Sequence, residues 1–197
     1  MRHRRWARGR LGGWRIGYAR VPDNAWGRQV LHAVTGIASE VWSSLASPMQ
    51  VVAAHVLADP TDITAHIEAS RTLHGRIANV MHAELTAVGA ECRPPQAGFY
   101  LYPDFGPRRA ELAARGITTS AELATAPLEQ HGIATLPGSA FGDQSGALTL
   151  RIATSLLYGT HTEQRLAALA SHTPEMLPWI ADALTDLHDG FTDQITS

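Results

Sequence analysis

The stretch Gly13-Trp14-Arg15-Ile16-Gly17-Tyr18 sets a single arginine between two glycines. Glycine lets the backbone come close to a bulky anion, and the planar guanidinium grips phosphate through two parallel hydrogen bonds. The stretch therefore points to a phosphorylated cofactor, with Arg15 as its phosphate contact. Working outward, Trp14 to Val21 has the aromatic and β-branched content of a strand, and Pro22-Asp23-Asn24 ends it as a turn and helix start.

Three further stretches follow in order: Gly98-Phe99-Tyr100-Leu101, Pro137-Gly138-Ser139-Ala140-Phe141-Gly142 and Leu150-Arg151-Ile152-Ala153. Together the four resemble the C-terminal half of the class I/II pyridoxal-phosphate-dependent aminotransferases, and Ser44, Ser47, Pro48 and Gln50 resemble that family's serine-rich helix entry. The resemblance implies an α/β chain, the C-terminal part of a fold type I aminotransferase. Residues 13–60 would be a remnant of the large cofactor-binding domain and its sheet, and a long interdomain helix would lead into an α+β small domain over 61–197. It also implies a homodimer that moves an amino group between an α-amino acid and an α-keto acid, with pyridoxal 5'-phosphate as cofactor. Arg151 would hold the substrate α-carboxylate. An arginine inside an apolar strand needs an anionic partner in any case, so an ion pair with an Asp or Glu of the chain is the structural alternative.

All sixteen basic residues counted as Lys or Arg are arginines; the chain has no lysine. Family members carry the cofactor as an imine on a lysine eight residues before the phosphate-binding arginine, and that position here is Ala7. Alanine removes both the covalent anchor and the base that would move the α-proton. The family's upstream cofactor contacts also have no candidates. The expectation is a truncated or frame-shifted family member, its residues 1–12 a foreign, disordered basic tail, incompetent for catalysis by itself. The alternative is a degenerate, non-catalytic binding protein that engages nucleic acid through its arginine-rich start.

Residues 1–28 hold eight arginines against Asp23 alone, in a chain of net charge −2. Arginines interleaved with Trp6 and Trp14 suit phosphates and stacked bases, and an acid-free start also suits a transit peptide, although residues 1–12 contain no serine. The lone Cys92 excludes an internal disulfide framework and reads as inert. With no apolar run of spanning length, a reduced cytoplasmic protein without membrane contact is expected.

Periodicity predicts helices over Ala25–Ser39, from Ser47 (as cap) to Leu57, and from Asp62 to a stop at Gly89, the last roughly 40 Å long. Strands are expected over Ala97–Tyr102, Ile133–Leu136 and Leu148–Ala153, and helices over Arg108–Arg115, Ser120–His131, Thr162–Ala170 and Pro174–His188. Phe99 and Tyr100 read as core aromatics, with lining of the substrate pocket as the alternative, and Phe141 as packing inward from a turn. His66, His74 and His82 are evenly spaced, but eight residues rotate about 80° around a helix, so they drift off one face and read as solvated side chains rather than metal ligands.

Overall fold

The computed structural model describes residues 17–196. The chain divides into two compact units, Met1–Glu68 and Ala69–Ser197.

The described part of the first unit is helical. Helix α1 (Ala25–Val41) starts on Asn24, whose extended backbone lets its side chain accept from Gly27 N at 2.8 Å. Helix α2 (Ser47–Leu57) has Ala46 at the cap position with no side-chain cap. The expected Ser47 cap is therefore corrected by one residue: Ser47 is already helical, Pro48 follows it in the first turn, and Gln50 Nε2 satisfies Leu45 O at 2.7 Å. Residues 17–21 of the expected 14–21 strand form no strand. A strand exists only through ladder partners, and none pairs with them among the described residues. In this unit Gly27 alone of the described residues is buried, and α1 leaves Trp26, Leu31, Val34 and Ile37 exposed. Trp42, just after α1, is also exposed.

Helix α3 (Thr61–Ala87) contains the division between the units. In the second unit it buries Leu73, Ile77, Met81 and Leu85, spaced four residues apart so that one stripe faces the core. It ends as expected near Gly89, whose φ of +89° suits only glycine at low cost.

Strands β1 (Tyr100–Leu101), β2 (Leu136–Pro137) and β3 (Leu150–Ala153) form an antiparallel sheet in the order β1-β3-β2. Leu101 pairs with Ile152, and Leu136 with Arg151. These strands are shorter than expected, yet backbone bonding runs past β1 at both ends: Thr154 N donates to Phe99 O at 2.9 Å, and Phe105 N to Leu148 O at 2.8 Å. The regular ladder stops because Pro103 and Pro137 bring no N–H to it.

Helix α4 (Arg109–Ala114) follows a short 3-10 turn at Gly106–Arg108. Helix α5 (Ser120–His131) begins in a capping box: Thr119 accepts from Glu122 N, and Glu122 accepts from Thr119 N. After α6 (Thr162–Ala170), helix α7 (Pro178–Ile195) packs on α4 and α5. It starts later than expected because Leu177, held extended before Pro178, cannot be helical. It runs past His188 because Phe191 and Gln194 are still buried. Phe191 stacks on Phe105 with ring centroids 5.0 Å apart, both wholly buried, at the centre of the core. Trp179 Nε1 donates to Tyr158 O at 3.3 Å.

Candidate functional site

Strand β3 alternates across the sheet: Leu150 and Ile152 are buried, and Arg151 between them faces away from the core. On β1 the same alternation buries Leu101 and leaves Tyr100 exposed. Arg151 thus lies at mid-sheet with Tyr100 beside it. Its guanidinium carbon is 4.6 Å from the Tyr100 ring centroid and 4.0 Å from that of Phe141, which reaches over from the 3-10 turn Gly138–Phe141. Contacts at these distances attract a cation electrostatically to the ring faces. Arg151 Nε is buried without a hydrogen-bond partner, and no Asp or Glu among the described residues pairs with the guanidinium.

Two sequence expectations change here. Tyr100 is not a core aromatic, and Phe141 does not pack inward; both are more than two-fifths exposed and are ring walls for Arg151. The cause is register, which sets Tyr100 on the same sheet face as Arg151. Phe99, half-buried, lies tilted against Tyr100 with ring centroids 4.5 Å apart.

Beneath Phe141 lies a polar cluster. Tyr102 donates its hydroxyl to Asp143 Oδ2 at 2.8 Å, and Thr149 donates to the same oxygen at 2.5 Å. These hydrogen bonds, Thr149's foremost, hold the Asp143 carboxyl below the ordinary aspartate range. The Tyr102 phenol is pushed up, by partial desolvation first and then by its bond to the carboxylate. Nothing in the local sequence singles out Asp143 or Thr149. The period-two spacing of Tyr100 and Tyr102 was the available signal for a shared face.

Arg15 and the Ala7 position lie outside the described residues, as does the expected tail over 1–12. The three evenly spaced histidines are less solvated than expected: His66 is half-buried, His82 Nε2 bonds Cys92 O at 2.9 Å, and His74 Nδ1 meets the Tyr158 hydroxyl at 2.5 Å. His74 and His82 are thus held by a ring hydroxyl and a backbone carbonyl within the second unit. Among the described residues no three His, Cys, Asp or Glu side chains converge as a metal site, and no helix is long and apolar enough to cross a membrane. Burial pushes the Cys92 thiol up, which keeps it protonated and a poor nucleophile.

The family model for aminotransferases of class I and II matches residues 10–184. The chain belongs to this family. An aspartate aminotransferase of Geobacillus stearothermophilus is 33% identical over 145 residues, which cover 73% of this chain and 34% of that protein. An aspartate/prephenate aminotransferase of Cereibacter sphaeroides is 32% identical over 133 residues, covering 66% of this chain and 31% of its own. The solved aspartate aminotransferase from Thermus thermophilus with maleate superposes on 81% of this chain and 36% of its own, with 25% identity and a TM-score of 0.59. The chain thus spans about a third of the length of the curated relatives it matches. The expected fold, part of a fold type I aminotransferase, is borne out by these structural neighbours.

Membership of the aminotransferase family implies pyridoxal phosphate, and the donor set of this chain does not fit that group as the family holds it. No side-chain amine exists to form the imine. The remaining described cation on the sheet face, Arg151, is a guanidinium, which stays protonated and neither condenses with an aldehyde nor serves as a base near neutral pH.

Proposed function

We propose that this aminotransferase-family chain retains the family's carboxylate-holding half-site, Arg151, and that the 197-residue chain by itself does not transaminate. The observation that carries this reading is the Arg151 guanidinium between two aromatic rings, with Nε buried and unpartnered and no acidic partner among the described residues. Such a group has its planar fork free for a carboxylate, which it would orient through two parallel hydrogen bonds. The chain's own residues therefore bind and orient an amino or keto acid, and no lysine is present to move its α-proton. Arg15 is proposed as the phosphate contact, and a homodimer as the assembly, both from family likeness. The arginine-rich start as a nucleic-acid arm has composition alone behind it.

Maleate, named with the Thermus relative, is a suitable probe. Titrated into the full chain while the arginine Nε–Hε signals are followed, it should move the Arg151 signal with millimolar, salt-sensitive affinity, because a half-exposed ion pair gains little after screening. Pyridoxal phosphate followed by borohydride should leave no adduct on any side chain. An unmoved Arg151 signal, or a side-chain adduct between residues 1 and 20, would sink the reading; an adduct at the Met1 α-amine is incidental.

A further inference from the structure

The turn carrying Phe141 is tied to the sheet and to helix α5, where Ser120 Oγ donates to Ser139 Oγ at 3.1 Å. Gly138 N donates to Thr149 O at 2.8 Å, Ser139 N bonds Ser120 Oγ at 3.4 Å, and Asp143, just beyond the turn, takes both hydroxyl donors on one oxygen. Those donors come from different segments: Tyr102 follows β1 and Thr149 precedes β3. One carboxylate oxygen therefore joins three segments that surround Arg151. Gly138 bears on the same cluster. A Cβ there would stand 1.9 Å from Thr149 Oγ1 and 2.7 Å from Asp143 Oδ2, so the turn reaches this position only because it has no side chain. Among the described residues Asp143 makes no ion pair with Arg151; its Oδ2 accepts the two hydroxyls instead.

We propose that Asp143 is a positioning residue for the Arg151 site: by bridging Tyr102 and Thr149 it fixes the Gly138–Phe141 turn so that the Phe141 ring covers the guanidinium. Its purpose rests on the carboxylate reading of Arg151, whereas its geometry does not. Tyr102 reinforces the arrangement by packing edge-on against Phe141, with centroids 6.5 Å apart. The ionised form of Asp143 is favoured by the two donors, so the bridge is in place at neutral pH.

The test is the ring-current shift that Phe141 imposes on the Arg151 Nε–Hε resonance in the full chain without ligand. Phe141→Leu sets the value for an uncovered guanidinium. Asp143→Ala should move the resonance to that value and weaken maleate binding about tenfold, and Asp143→Asn, whose amide oxygen can still accept both hydroxyls, should restore most of both. A purely structural role would not make the Arg151 resonance of Asp143→Ala match that of Phe141→Leu. Should Asp143→Ala fail to fold, Tyr102→Phe removes one donor and should give an intermediate shift. A wild-type resonance in Asp143→Ala, or in Tyr102→Phe if that variant is needed, overturns the proposal. If maleate moves nothing in the wild type, the carboxylate reading falls, and the unliganded resonance still decides Asp143.

Discussion

Arg151 and the absent lysine illustrate how far one cation differs from another. A guanidinium offers a rigid fork and keeps its charge; an ammonium is a compact point charge that can be neutralised and can condense with aldehydes. The described sheet face uses the first kind only, which suits holding a carboxylate and not proton transfer. Arg151→Lys should therefore weaken maleate binding by about tenfold even though charge is conserved, because a bidentate pair becomes a single contact. Broadening of the maleate proton signal on titration with protein checks this, and equal affinity would show that charge alone suffices. Arg151 was legible in the sequence, since a charged residue in Leu148–Ala153 demands a reason. Its ring walls were not. Tyr100 sits there by strand pairing and Phe141 by a turn, and neither register nor turn direction can be read from residue types.

At the scale of elements, legibility followed chemistry at the ends. Helix α5 was expected over Ser120–His131 and has those bounds, because Thr119 and Glu122 mark its start and Gly132, at φ +70°, its end. Helix α6 also has the expected bounds, Thr162–Ala170, without a side-chain cap at its start. The strands were overrun by two to four residues, since alternation marks extended chain whereas a ladder also needs partners with free N–H groups. The cap makes a quantitative statement. Thr119→Ala should cost about 1 kcal/mol of stability, read from denaturant unfolding. Glu122 adds a pH dependence. Hydrogen bonds from the Thr118 backbone first, then from its hydroxyl and from Thr119, hold its carboxyl below the usual glutamate value. A carboxylate depressed in the folded state stabilises above its unfolded pKa, and the benefit is lost as pH falls through the folded one. The stability gap between wild type and Glu122→Ala should thus be constant near neutrality and close as the solution is acidified below the ordinary glutamate range; a gap that persists in acid would mean that the carboxylate charge plays no part.

Across the whole molecule the two units differ in kind. The second has a continuous core from Leu73 on α3 through Leu150 and Ile152 to Phe191 on α7. The described part of the first buries only Gly27. Helices without a buried face are marginal in water, so amide exchange should be fast across α1 and α2 and slow in β3 and α7, approaching the global unfolding rate there. Comparable protection in α1 and α7 would show that the apolar side of α1 is covered in solution.

The same contrast governs what intrinsic fluorescence can report. Of the three tryptophans among the described residues, Trp26 and Trp42 are 63% and 61% exposed, and Trp179 alone is tied down, through Tyr158 O. The two exposed indoles already emit as hydrated chromophores in the native state, so chemical unfolding changes their surroundings little. Among these three, the emission shift on denaturation should come from Trp179, and its midpoint should coincide with the loss of the Phe105–Phe191 core rather than with the melting of α1.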